Sequence, residues 1–230
     1  VTVIGGNGAG KSTLLNAIAG VWKPDFGTIE IDGVDVTRMP EYKRAKFLGR
    51  VFQDPMKGTS PDMEIAENLA IASKRGEKRR FVRGVRKADR EKYRQLLSSL
   101  ELGLENRLST KVGLLSGGQR QAITLLMATM NRPKLLLLDE HTAALDPKTA
   151  AKVLELTDQI VEKNKLTTLM ITHNMRDAIA HGDRLIMMHE GNIIIDVSGE
   201  EKKRLTVEHL LSLFTQASGE GAVSDRMVLN

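Results

Sequence analysis

Short apolar runs and longer amphipathic stretches alternate along the chain, and their order predicts the architecture. Residues 1–4 (VTVI) are apolar, and 13–19 (TLLNAIA) repeat apolar side chains at helical spacing, so the chain opens as strand, loop and helix. Residues 27–36 (GTIEIDGVDV) alternate around Asp32-Gly33, a hairpin signal. Residues 50–53 (RVFQ) read as a short strand ending on a polar residue. Beyond 54 the periodicity turns helical over 66–73, 90–102 and 116–130. In the last of these, Ile123, Leu126, Met127 and Met130 share a face, Ser116 is placed to cap, and Pro133 follows as a stop. Residues 135–138 are four leucines, a run that suits a parallel strand covered on both faces. An amphipathic helix over 148–163, a buried strand over 167–172, two strands over 184–188 and 192–197, and a closing helix over 207–214 complete the pattern.

The predicted fold class is therefore α/β: a parallel-sheet core with a small antiparallel part and an inserted α-helical subdomain. The expected division is a core from 1–53 and 134–215, a helical unit from 54–133, and a tail from 216–230.

Composition narrows the class. The chain has 230 residues, 41% hydrophobic and 27% charged, ordinary for a globular domain. No apolar run approaches the roughly 18 residues needed to cross a bilayer. Without cysteine, disulfides and thiolate metal sites are excluded. Aromatic residues make up only 3%, which argues against base-stacking platforms and makes nucleic acid an unfavoured partner. The net charge is +5, yet residues 74–94 alone hold eleven basic and three acidic residues, so the remainder is slightly acidic. That segment, with Phe81, Val82 and Val85 spaced through it, reads as a loop or short helix presented to solvent. A solvated charged face is its plainest role, and contact with anionic lipid headgroups and contact with nucleic acid are the functional alternatives.

The chemistry begins at Gly5-Gly6-Asn7-Gly8-Ala9-Gly10-Lys11-Ser12, a Gly-x-x-x-x-Gly-Lys-Ser phosphate loop. Glycines let consecutive backbone N–H groups curl around phosphate oxygens, Lys11 brings positive charge to the β- and γ-phosphates, and Ser12 offers a hydroxyl to Mg²⁺. Thr13 continues into the helix whose positive end faces the anion. Such a strand sits among sheet partners, and this one lies at the chain start, so the expectation is that N-terminal strands are missing from the stretch. Asp139 and Glu140 end the leucine run, where parallel sheets place working residues. Asp139 can hold Mg²⁺ through water, and Glu140 can take a proton from an attacking water. Ser116, Gly117, Gly118 and Gln119 form a second potential anion site at a helix N-terminus.

With these motifs in this order, the chain resembles the nucleotide-binding subunits of ABC (ATP-binding cassette) proteins over essentially its whole length. Residues 5–12 match the Walker A loop, Leu115-Ser116-Gly117-Gly118-Gln119 the signature, and 135–140 Walker B with its glutamate. Gln53 matches the Q-loop glutamine, Ala144-Leu145-Asp146 the D-loop, and His173 the switch histidine. The resemblance implies a P-loop NTPase core of RecA-like type and an ATPase with ATP and Mg²⁺ as cofactors. By it, Gln53 reaches Mg²⁺ and the attacking water, His173 contacts the γ-phosphate, and Asp146 joins two sites across a dimer. The implied partners are a second ATP-binding subunit, taken as an identical copy, an integral membrane permease, and a substrate-binding protein as a further candidate. The implied location is the cytoplasmic face of the membrane, as a peripheral subunit.

A lone cassette without a membrane segment is typical of bacterial importers, here most similar to ATPases paired with permeases of the branched-chain amino-acid type. A soluble ABC ATPase of cluster-assembly or nucleic-acid-associated type stays open as the alternative. Three departures stand out. His141 occupies the position after the glutamate where the family usually has Pro, and is expected to be a turn residue, with tuning of Glu140 as the competing role. Ala143 replaces the common D-loop Ser, and the upstream aromatic residue that stacks on adenine has no counterpart.

Overall fold

The structure is a computed structural model that describes residues 1–77 and 84–218. In chain order the elements are β1 (Thr2–Gly5), α1 (Lys11–Ala19), β2 (Glu30–Ile31), β3 (Val34–Asp35), α2 (Glu41–Arg44) and β4 (Leu48–Val51). Three long helices follow, α3 (Ile65–Ser73), α4 (Lys87–Ser98) and α5 (Gly117–Thr129). The chain then alternates through β5 (Leu135–Asp139), α6 (Pro147–Asn164), β6 (Thr168–Ile171) and α7 (Met175–Ala180). It closes with β7 (Arg184–His189), β8 (Asn192–Ser198), α8 (Gly199–Lys203) and α9 (Val207–Ser218).

The main sheet runs β4-β5-β6-β1-β7-β8, with every neighbouring pair parallel except β7 and β8. β1 lies between β6 and β7, so both of its partners come later in the chain. β2 and β3 form a separate two-stranded antiparallel sheet, with Asp32 and Gly33 at positive φ in the turn. The fold class read from the sequence is therefore the one observed.

Side-chain alternation decides the two sides of the sheet. Val3, Leu137, Ile171 and Met188 pack with Leu15 and Ala19 of α1. Their strand neighbours Leu136, Leu138 and Met170 enter the other large core, with Leu69, Leu97, Ile123 and Leu156 from α3, α4, α5 and α6. Ile4, Leu185 and Met187 meet Phe214 and Leu210 of α9. Both faces are covered, which is why the leucine run shows no polar alternation.

Some expected boundaries move. The strand expected at 50–53 is β4, starting two residues earlier and ending at Val51, so Gln53 lies beyond it. Gly49 belongs to the strand because a Cβ there would stand 2.4 Å from the Ala128 carbonyl oxygen; only glycine lets the end of α5 approach this closely. After Phe52 the chain leaves the sheet into a turn in which Asp54 Oδ1 accepts from the Met56 amide. The helix expected over 90–102 runs over Lys87–Ser98, stopped by Glu101 and Gly103 at positive φ. The closing helix continues four residues past Phe214. Within the basic segment, Phe81 and Val82 lie outside the described residues, as does the tail from 219.

Candidate functional site

The site is built by strand ends. β4, β5, β6 and β1 are parallel, and their registers align Val51 with Leu138, Asp139 with Ile171, and Val3 with Ile171. Continuing each strand by one or two residues brings Gln53, Glu140, His173 and Gly5 to one edge of the sheet. Four predicted site residues, scattered from 5 to 173 in sequence, are brought together by topology alone.

The phosphate loop leaves β1 at Gly5. A Cβ on Gly5 would stand 2.3 Å from the Met188 carbonyl oxygen, so the strand can lie this close to β7 only without a side chain. Gly8 and Gly10 take positive φ, at 78° and 97°, and curl the loop into α1. Gly10 is the N-cap of α1 and supplies no side-chain cap, and the helix has no acidic residue in its first turn. The first amides of α1 thus face the loop without a capping side chain, the condition that favours an anion. Lys11 is buried, and its Nζ donates to the Gly5 and Gly6 carbonyls at 2.6 and 3.0 Å, spanning the loop. Ser12 and Thr13 are exposed at the helix start, as is Asn7 in the loop; Gly6 and Ala9 are buried. The Gly191 amide, between β7 and β8, donates to the Ala9 carbonyl and fixes the loop from behind.

Asp139 and Glu140 stand at the end of β5, as expected. The Glu140 amide still donates to Ile171, and its backbone then turns to φ 45°. One Glu140 oxygen lies 3.8 Å from Nδ1 of His173, which is half exposed. The His173 loop is held from below by Asn174, whose side chain accepts from the Arg176 and Asp177 amides and caps α7. Among the described residues there is no group of three His, Asp or Glu side chains to hold a metal by themselves. Ser12, Gln53, Asp139 and Glu140 bring hydroxyl, amide and carboxylate oxygens to this end of the sheet. That set suits Mg²⁺, a hard ion that keeps several waters and uses nucleotide phosphates as ligands.

His141 is more than a turn residue. It sits in the turn, yet only 2% of it is exposed. Its Nε2 lies 3.1 Å from Thr157 Oγ1 of α6. That hydroxyl donates to the Val153 carbonyl, so it accepts from His141, which fixes the proton on Nε2. Burial, helped by nearby His181, lowers the imidazole from its ordinary 6.5 to about 4. The ring is neutral at physiological pH and adds no titrating charge beside Glu140 there.

The signature residues sit apart from the phosphate loop. Ser116 caps α5: its Oγ accepts from the Gln119 amide, and the Gln119 side chain accepts from the Ser116 amide, both at 3.3 Å. Gly117 and Gly118 pass beside Leu145 and Thr149, and a Cβ on Gly118 would stand 2.2 Å from Thr149 Cγ2. Ser116, Gly118 and Gln119 line a cavity of about 490 Å³ with Thr149 and Lys152, and no phosphate-loop residue shares it. Asp146 caps α6 by accepting from the Thr149 amide, and hydrogen bonding to Thr149 holds its carboxyl below the usual range.

Three residues without a motif also matter. Gln121, fully buried on α5, donates to the Phe52 carbonyl at 3.4 Å and ties the helical cluster to the segment carrying Gln53. Arg50 faces Asp139 at 3.6 Å. Arg44 is completely buried and holds α2 on α1. Only Arg50, a single charge in the otherwise apolar run FLGRVF, hints at such a role in the sequence.

Comparison with known proteins places these features in context. A family described as "ABC transporter" matches residues 1–143. The tyrosine transport ATP-binding protein of Clostridioides difficile is 49% identical over 220 residues, covering 94% of this chain and 86% of that protein. The thiamine import ATP-binding protein of Escherichia coli K12 is 33% identical, covering 84% and 78%. Among solved structures, the ADP conformation of the ATP-binding cassette MJ1267 aligns with a TM-score of 0.73 at 27% identity, covering 98% of this chain and 86% of that one. The dimeric cassette MJ0796 aligns at 0.71 and 29%, covering 86% and 84%.

Proposed function

Since this chain belongs to the ABC transporter family and is an ATP-binding, ATP-hydrolysing subunit of it, we propose that it powers import of a small solute of the amino-acid class. One observation supports the site assignment above others: the phosphate loop, Gln53, Asp139-Glu140 and His173 end at one sheet edge. The loop amides and Lys11 bind the phosphates, and Ser12, Asp139 and Gln53 are the residues that would hold Mg²⁺. Bound there, Mg²⁺ would supply charge neutralisation for the phosphates. Glu140 accepts the proton of the attacking water, and His173, beside it, steadies the γ-phosphate.

Two copies complete the machine. Ser116, Gly118 and Gln119 of the signature line a cavity that the chain's own phosphate loop does not share. Ser116, Gly117, Gly118 and Gln119 therefore close on the nucleotide of a second, identical subunit, with Asp146 at the junction. MJ0796, described as a dimeric cassette, supports that arrangement. Hydrolysis removes the γ-phosphate that bridges the copies, and the loss of that differential binding opens the dimer. The expected division into a core and a helical unit over 54–133 gives this opening a second moving part.

The permease docks, in this reading, on a groove of about 970 Å³ whose walls include Phe52, Ile71 and Met127 and whose rim carries Lys43, Lys46 and Lys57. Phe52 adjoins Gln53, so an occupant there touches the segment that reaches the metal. The chain acts, in this reading, from the cytoplasmic face through that permease, as a subunit like its transporter relatives; no helix among its described residues is long and apolar enough to cross a membrane. The solute follows the 49% identical relative, whose name specifies tyrosine.

The test is Glu140→Gln. The variant keeps ATP binding and forms a stable ATP-dependent dimer in size-exclusion chromatography, while turnover falls by about 10²–10⁴-fold. Hydrolysis at the unsubstituted rate would remove Glu140 from this role. Uptake of labelled tyrosine into vesicles carrying the cognate permease tests the solute.

A further inference from the structure

The Asp139 carboxylate has a counter-ion on the neighbouring strand. Arg50, on β4, places Nη2 3.6 Å from Asp139 Oδ2, and the same nitrogen donates to Asn16 Oδ1 on α1 at 2.8 Å. Its guanidinium carbon stands 4.6 Å from the centroid of the Phe52 ring. The side chain is 15% exposed, and its Nε is buried without a hydrogen-bond partner. A guanidinium does not shed its proton, so a largely buried one needs a neighbouring negative charge. Among the described residues the acid at ion-pair distance from Arg50 is Asp139.

We propose that Arg50 is a place-holding counter-ion: it neutralises Asp139 before the metal arrives, and Mg²⁺ competes with it for that carboxylate. The inference rests on the reading that Asp139 holds Mg²⁺. Two effects oppose each other at this position. Arg50 orients the carboxylate, which helps the metal. It also sets a fixed positive charge close to a divalent cation in a partly buried site, where screening is weak. The 3.6 Å separation exceeds that of a direct hydrogen bond, so the orienting effect is the smaller one. Removing the guanidinium therefore tightens metal binding. Because the guanidinium stacks on Phe52, and both line the groove assigned to the permease, a displaced Phe52 displaces the counter-ion as well.

The experiment follows ADP binding to the full chain as free Mg²⁺ is titrated, which needs no turnover. Arg50→Met lowers the half-saturating Mg²⁺ concentration by roughly three- to tenfold and leaves ADP binding in EDTA unchanged. Arg50→Lys keeps the charge and stays within about twofold of the unsubstituted chain, although it loses the planar fork. In a thermal melt, Arg50→Met unfolds at lower temperature in EDTA, and Mg²⁺ with ADP raises its midpoint by more than that of the unsubstituted chain. A half-saturation in Arg50→Met equal to or above the unsubstituted value overturns the proposal. So does an equal shift in Arg50→Lys and Arg50→Met, which would mark a packing effect. Should Arg50→Met not fold, Arg50→Gln carries the same expectation. ADP binding that Mg²⁺ does not strengthen over its value in EDTA, or a Mg²⁺ dependence untouched by Asp139→Asn, would instead overturn the metal assignment of Asp139.

Discussion

Glu140 holds a left-handed backbone, φ 45°, at the residue assigned to proton abstraction. For a side chain with a Cβ this conformation costs on the order of 1–2 kcal/mol, and it persists only where neighbours over-determine it. Three do so: the Ile171 carbonyl accepts the Glu140 amide, the Glu140 carbonyl accepts from Ala143, and the next residue, His141, is anchored in the core through Thr157. Thr157→Val removes the acceptor and strands a buried N–H, so it destabilises the chain by about 1–3 kcal/mol in urea denaturation. The neutral His141 also makes stability depend on pH. Its pKa is about 4 when folded against an ordinary 6.5, so the unfolded chain takes up the proton first. This contribution is present above pH 6.5 and lost as pH falls towards 4, by roughly 3 kcal/mol in all. His141→Gln, measured by denaturation between pH 7 and 4.5, shows a shallower fall. Lys11, Asp139 and Glu140 were legible as motif members because their spacing is set along the chain. Arg50 and Gln121 were not, because their partners lie on α1, β5 and the Phe52 segment, and no local pattern records them.

Among the elements, two buried cations close helix ends. Arg44 donates to the Ala17 and Ile18 carbonyls at the end of α1 and to the Met39 and Thr37 carbonyls behind it. Lys202 donates to the Ile179, His181 and Gly182 carbonyls at the end of α7. Each satisfies orphan carbonyls and sits at the negative end of the helix dipole. Burial lowers the pKa of both. Arg44→Met leaves four carbonyls without their donor and loosens the helix behind the phosphate loop. It costs about 2–4 kcal/mol by urea denaturation and lowers nucleotide affinity as a consequence. Neither α2 nor α8 was predicted, since four or five residues show no helical period. The long elements were, since α5 and α6 carry caps and apolar faces that repeat over several turns. The start of β4 was missed because Gly49 reads as a strand breaker until the end of α5 is seen against it.

At the scale of the molecule, the parallel order β4-β5-β6-β1 does what no single element can: it places four strand ends on one edge. The signature faces elsewhere, so one copy holds half of each proposed site. This gives a complementation test. Lys11→Ala damages one half and Ser116→Arg the other, and each alone is nearly inactive. Mixed, they form heterodimers with one intact composite site, and ATPase activity reappears in proportion to heterodimer. Activity that stays absent on mixing, with dimers demonstrated, would count against the shared site.

Residue spacing along the chain was enough to read the motifs and the type of the long elements. Loop, signature and acidic pair depend on residue spacing along the chain, and periodicity marks a helix or a buried strand without reference to anything distant. Which residues meet was set by the fold. Strand order and register carry Gln53 and His173 to the sheet edge from which the phosphate loop leaves, burial makes His141 neutral and anchored where a plain turn residue was expected, and packing sets Arg50 against Asp139. Those outcomes depend on distances between segments far apart in the chain, where desolvation and charge act through space and leave no periodic trace.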